Sequence, residues 1–179
     1  MIVFDTETTG LIDNIALPVR QQPYIIEFCA IKLDDSTLEE VGMVNRLISV
    51  PVAIPEIVTQ ITKITDAMLD KQDRMRTVLP IIADFFRGEK TMVAHNCSYD
   101  RDMLAIELRR NGWETKFPWP TEHLCTVELT QFMKGHRLTL SALYQELFGE
   151  PFPEAHRAEN DVRALCRVIR ELRNRKVML

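Results

Sequence analysis

Asp5 and Glu7 stand two residues apart after the apolar run Ile2-Val3-Phe4, and Thr8-Thr9-Gly10 follows them. Side chains on a strand alternate between faces, so both carboxylates point the same way. Two like charges side by side repel, and folding alone has no use for them there. A divalent cation resolves the repulsion, because hard cations such as Mg²⁺ take carboxylate oxygens as ligands. The competing reading of the pair alone is a strand end whose Asp caps the next turn.

Two more acidic positions recur where a helix begins. His95-Asn96-Cys97-Ser98-Tyr99-Asp100 follows a short apolar strand, with Ser98 read as the N-cap and Asp100 in the first helical turn. Helix capping explains an acid there. The C-terminal end of a strand in an α/β sheet is also where ligand sites form. His156-Arg157-Ala158-Glu159-Asn160-Asp161 opens the last helix, after a loop containing Pro151, Pro153 and Ala155. His156 precedes that helix and Asp161 lies one turn into it.

The elements that must position these groups follow from periodicity. Strands are expected over residues 1–7, 24–32 and 41–49, with a turn at Asp34-Asp35-Ser36. Short helices fit 56–61 and 66–70, and a longer one fits 75–87, where Val78, Leu79, Ile82, Phe85 and Phe86 share a face. A buried strand at 91–95 precedes a helix at 99–110, and a strand near 123–126 precedes helices at 127–134, 139–148 and 158–175. Strands first, then strands alternating with helices, predict an α/β fold with a mixed sheet flanked by helices. Residues 11–23 form a long connection leaving the strand that carries Asp5 and Glu7, and long loops are often functional.

Composition bounds the rest. The 179 residues, 46% of them hydrophobic, suit one domain over 1–179. A net charge of −4 excludes a basic coat protein for nucleic acid, though not a local basic patch. No run of about 18 apolar residues suggests a membrane span, and Asp5 and Glu7 come too early for a secretory leader. The cysteines at 29, 97, 125 and 166 fit no zinc spacing and read as reduced thiols of a cytoplasmic protein. The last helix carries seven basic against three acidic side chains over 157–176. That stripe reads as a solvated face, the alternative being a path for a phosphate backbone.

Taken in order, D-x-E, H-N-x-x-Y-D and H-x-x-x-x-D resemble the DEDDh branch of the DnaQ-like 3′→5′ exonuclease superfamily. That superfamily includes the proofreading ε subunit exonuclease domain of bacterial DNA polymerase III. F-D-T-E-T-T-G-L is similar to its first motif, and residues 25–30 are similar to its second strand. Residues 61–69 resemble its helical segment after the third strand, with Lys63 where a glycine is usual.

The resemblance implies a ribonuclease-H-like five-stranded sheet and a metal site formed by Asp5, Glu7, Asp100 and Asp161. Asp102 competes for the third place but lies about 200° further around the helix, and the motif spacing selects Asp100. Two Mg²⁺ ions, with Mn²⁺ as a substitute, would neutralise a phosphodiester and activate water. His156 would be the general base, since imidazole ordinarily titrates near pH 6.5, at about the working pH. Thr6, Thr8, Asn96, Tyr99 and Arg157 would border the substrate. His95 reads as a structural histidine, and Gln145-Glu146-Leu147-Phe148 as core positions of a helix.

The implied function is metal-dependent 3′→5′ hydrolysis at single-stranded or frayed 3′ ends, DNA before RNA, releasing nucleoside 5′-monophosphates in proofreading or repair. A polymerase is the implied protein partner. An RNA-trimming enzyme of the same superfamily and a non-catalytic nucleic-acid-binding module on the same fold are the rival readings.

Overall fold

The computed structural model describes residues 1–152 and 156–177. Pro153 and Ala155, read above as loop, lie outside the described residues. Five strands, β1 (Ile2–Thr8), β2 (Ile25–Leu33), β3 (Glu40–Leu47), β4 (Thr91–Ala94) and β5 (Glu122–Cys125), form one sheet in the order β3-β2-β1-β4-β5. β2 is antiparallel to both β1 and β3, whereas β4 runs parallel to both β1 and β5. The sheet is therefore mixed, as the order of strands and helices predicted.

Seven α-helices accompany it among the described residues: α1 (Glu56–Thr62), α2 (Asp66–Leu69), α3 (Met75–Phe86), α4 (Cys97–Asn111), α5 (Thr126–Thr130), α6 (Leu140–Phe148) and α7 (Ala158–Asn174). Alternation along β1 divides the core. Ile2 and Phe4 pack with α3 and α4 on one face, while Met1 and Val3 pack with α6 and α7 on the other. Asp5 and Glu7 continue the second set and so lie on the α7 face. Val162, Leu165, Val168, Ile169 and Leu172 are almost wholly buried against that face. Each contributes roughly 1.5–3 kcal/mol relative to an exposed position, which fixes α7 against the sheet. None of the described helices is long and apolar enough to cross a membrane.

Three local expectations are corrected. α4 begins at Cys97, and its N-cap is Asn96 rather than Ser98. The chain leaves β4 through a left-handed Asn96 at φ 70°, a conformation asparagine tolerates, so Ser98 falls inside the first turn. The third strand stops at Leu47, two residues short of its expected end. Residues 131–133 wind as a 3₁₀ turn rather than extending the preceding helix.

Lys63 explains why a glycine is usual at its place. It caps α1 at φ 61°, where its N–H donates to the Thr59 carbonyl and any Cβ is strained.

The long connection is anchored from below. Arg110 on α4 donates to the carbonyls of Val19, Gln22 and Pro23 at 2.7, 3.1 and 3.0 Å and stacks on the Tyr24 ring. Arg110 also pairs with Glu107, which is buried.

The basic stripe of α7 is a solvated face laced with ion pairs, with Arg163, Arg167, Arg175 and Lys176 exposed. Arg163 pairs with Glu159 and Glu40, Arg170 donates to the Leu38 carbonyl, Arg173 to the Asp35 carbonyl, and Arg175 to Glu171. These contacts fasten α7 to the β2–β3 turn and to itself. The Q-E-L-F run sits on α6, with Leu147 buried and Gln145 and Glu146 exposed.

Candidate metal centre

β1 delivers Asp5 and Glu7 to one place, and the first turn of α7 delivers Asp161. One carboxylate oxygen from each lies within 4.8 Å of the others. That set of hard oxygen donors fits a divalent cation, and nothing else among the described residues neutralises all three. Asp100 adjoins the trio rather than completing it. It is buried, and its Oδ1 accepts from the Thr6 N–H at 3.0 Å and the Thr6 hydroxyl at 2.8 Å.

The electrostatics record the crowding. Burial, followed by the Asp100 and Asp161 charges, holds the Asp5 carboxyl well above the usual carboxylate range. Burial and Asp161 push Glu7 up to about 8. Burial pushes Asp100 up to about 7 against the pull of the Thr6 hydrogen bonds, and Asp161 up to about 6.

Carboxyls raised in the folded state bind more protons there than in the unfolded chain. Folding stability is then full at low pH and is lost as pH rises through the raised values. The metal-free protein is therefore expected to lose melting temperature steadily between about pH 4 and about pH 8, the value for Glu7. Millimolar Mg²⁺ or Mn²⁺ at pH 8 should restore the loss. Melting curves in EDTA across that range check this, and a flat profile insensitive to cation would contradict the cluster.

A further buried acid was not singled out from sequence. Glu27 faces Glu7 across the β1–β2 pair and is fully buried. It accepts from Arg157 Nε at 3.0 Å, Arg157 Nη2 at 2.8 Å and the Ala158 N–H at 3.0 Å. Glu27 thus docks the N-terminus of α7, and so Asp161, beside β1. The available signal was a carboxylate flanked by the apolar residues Ile25, Ile26, Phe28 and Cys29 of β2. Arg157, expected beside the substrate, pairs with Glu27, because a buried carboxylate needs its charge paired.

His156 is exposed, at φ 71°, and its backbone N–H donates to Asp161 Oδ2 at 3.0 Å. Its backbone is therefore tied to the carboxylate group at the start of α7. His95, by contrast, is tied inward, with ring nitrogens 2.9 Å from the Thr126 hydroxyl and 3.0 Å from the Leu138 carbonyl. Burial pushes it down to about 4, so it is a neutral structural residue at physiological pH. Asp102, the competitor, pairs with its neighbour Arg101.

Next to Glu7 opens a cavity of about 620 Å³ lined by Thr6, Thr8, Gly10, Leu11, Ile57, Ile61 and Tyr99, among others. Leu11, Ile57 and Ile61 are 77%, 60% and 45% exposed, an apolar wall of the kind that receives a flat ligand. The Tyr99 hydroxyl bonds to the Thr8 hydroxyl at 2.7 Å and donates to the Gly10 carbonyl at 2.9 Å, which fixes the turn after β1. Thr6 lines the cavity, but both its donors are spent on Asp100. Asn96 faces away from this cavity and accepts from Arg137 Nη2 at 2.7 Å.

Comparison with known proteins agrees with this geometry. The profile of the RNase_T exonuclease family matches residues 2–169. The DNA polymerase III subunit epsilon of Treponema pallidum is 32% identical over 164 residues, covering 89% of this chain and 70% of that protein. The PolC-type DNA polymerase III of Clostridium perfringens is 30% identical over 173 residues, covering 94% of this chain but only 11% of the polymerase. Among solved structures, the nuclease domain of 3′hExo, a DEDDh family member bound to rAMP, superposes with a TM-score of 0.78 at 17% identity. That match covers 99% of this chain and 93% of the other, and it carries the ribonuclease-H-like fold.

Proposed function

Because the chain belongs to the RNase_T exonuclease family, we propose that it hydrolyses the terminal phosphodiester at 3′ ends of DNA, single-stranded or frayed, releasing nucleoside 5′-monophosphates. The observation that carries this reading is the meeting of Asp5, Glu7 and Asp161 beside an apolar cavity large enough for a nucleoside.

Asp5, Glu7 and Asp161, with Asp100 adjoining, would hold divalent cations, with a pair of Mg²⁺ ions as the proposed native set. When bound, such ions supply charge neutralisation for the phosphate and acidity for the attacking water. The protein does the rest. Leu11, Ile57 and Ile61 hold the terminal base out of water, and the fixed Thr8–Gly10 turn bounds its sugar. His156 takes the proton from the water as it attacks phosphorus, and the 3′ oxygen of the penultimate nucleotide departs. Glu27 and Arg157 position α7, and through it Asp161 and His156.

DNA is favoured because a relative covered over 70% of its length is a DNA polymerase III subunit epsilon. A replicative polymerase is the proposed partner, and the buried thiols of Cys29, Cys97, Cys125 and Cys166 suit the reducing cytoplasm.

DNA and RNA oligomers of one sequence, 5′-labelled and incubated in parallel with Mg²⁺, test the assignment. The expected result is a DNA ladder shortening from the 3′ end, slowed about 10²–10⁴-fold in His156→Ala. A ladder with RNA alone would make the protein an RNA-trimming enzyme. No ladder with either would leave a binding module on the same fold.

A further inference from the structure

We propose that Arg137 binds the phosphate on the 5′ side of the scissile bond, so that the strand is gripped on both sides of the carboxylates. This rests on the exonuclease reading and adds to it a residue that the motifs do not contain.

The first turn of α4 separates two cavities. Tyr99 faces the apolar one, while His95 and Asn96 face a second of about 340 Å³ that Arg137, Leu138 and Thr139 also line. β1 and β4 run parallel, and the Thr6 N–H donates to Asp100 in the first turn of α4, so His95 and Asn96 leave β4 at the end of the sheet where β1 presents Asp5 and Glu7. The second cavity therefore opens at the same end of the sheet as Asp5 and Glu7. A strand that seats its terminal nucleoside in the apolar cavity and its scissile phosphate at the carboxylates has this second cavity for its next nucleotide.

Arg137 is equipped for that phosphate. It is exposed, and among the described residues no carboxylate pairs with it. The arginines nearest the carboxylates in sequence differ, since Arg101 is neutralised by Asp102, Arg163 by Glu159 and Arg157 by Glu27. The Asn96 side-chain Oδ1 is a neutral acceptor, so it orients the guanidinium without cancelling its charge. The remaining N–H donors keep the fork geometry that suits a phosphate. The adjoining backbone is held as well, because the Leu138 carbonyl lies 3.0 Å from His95 Nε2 at the end of β4. An uncompensated cation here also offsets the acidic field that a nucleic-acid strand meets on approach.

The test compares wild type, Arg137→Ala and Arg137→Lys on two substrates. One is a DNA oligomer, and the other is the p-nitrophenyl ester of thymidine 5′-monophosphate, which has no nucleotide upstream. Arg137→Ala is expected to lower the ratio of oligomer to ester kcat/KM about tenfold, mainly through KM for the oligomer. The dependence of log kcat/KM for the oligomer on log salt should become shallower by about 0.7, as for one lost phosphate contact. Arg137→Lys should recover part of the loss and the full salt slope. An equal fall on both substrates, or an unchanged salt slope, would overturn the proposal while leaving the exonuclease standing. A wild-type protein inactive on both substrates would overturn the exonuclease reading, and this inference with it.

Discussion

Asp5→Asn is expected to lower the rate of nucleotide release about a thousandfold while raising the melting temperature of the metal-free protein. Asp5 lies at the centre of the repulsion, since Asp100, Asp161, Glu7 and Glu27 all raise its carboxyl. The isosteric amide keeps the packing on β1 and removes one buried charge from a cluster that disfavours charge. The same change weakens the grip on a divalent cation, whose charge stabilisation is worth several kcal/mol in a reaction of this kind. At 1.36 kcal/mol per tenfold, that is about three orders of magnitude. The gain in stability should be largest near pH 8 in EDTA and should vanish toward pH 4, where the native carboxyl is protonated anyway. Single-turnover rates and melting curves on the same preparation check both halves. Normal turnover would remove Asp5 from the mechanism, and a lowered melting temperature would mean that the cluster is not under charge strain.

Arg157→Ala is the second large effect, and it falls on stability. The guanidinium holds both oxygens of Glu27, whose side chain is 1% exposed. Truncation leaves a buried carboxylate facing Glu7 with only the Ala158 N–H as donor, a change that costs about 3–5 kcal/mol. For a chain of this size that lowers the melting temperature by roughly 10 °C. Adding Glu27→Gln to Arg157→Ala removes the orphaned charge and should recover part of the loss. A residue that served only to contact substrate would behave differently, raising KM with no change in melting temperature. Denaturant titration of the single and double variants separates the two, and an unaltered midpoint for Arg157→Ala would return this residue to the substrate.

The legible parts of the site were those set by local periodicity. Period-two alternation placed Asp5 and Glu7 on one face, and the starts of α4 and α7 placed Asp100 and Asp161 in first helical turns, where they are found. What could not be read was pairing between distant residues. Glu27 looked like part of an ordinary strand because its partner Arg157 lies 130 residues away. Arg110 looked like a helix end, yet it organises the 11–23 connection through carbonyls some 90 residues distant. The α7 arginines formed a helical stripe whose purpose depends on the β2–β3 turn beneath it. At Asn96 the signal was present, since asparagine favours the left-handed region, but serine in a capping position was the more familiar pattern.

The proposed reaction depends on cations held by the Asp5–Glu7–Asp161 group at a 3′ end. Its most direct test is chromatography of the products from single-stranded DNA, with Mg²⁺ and with EDTA. The structure predicts nucleoside 5′-monophosphates released one at a time from the 3′ end, only when the cation is present. Nucleoside 3′-monophosphates, internal fragments, or equal release in EDTA would contradict it.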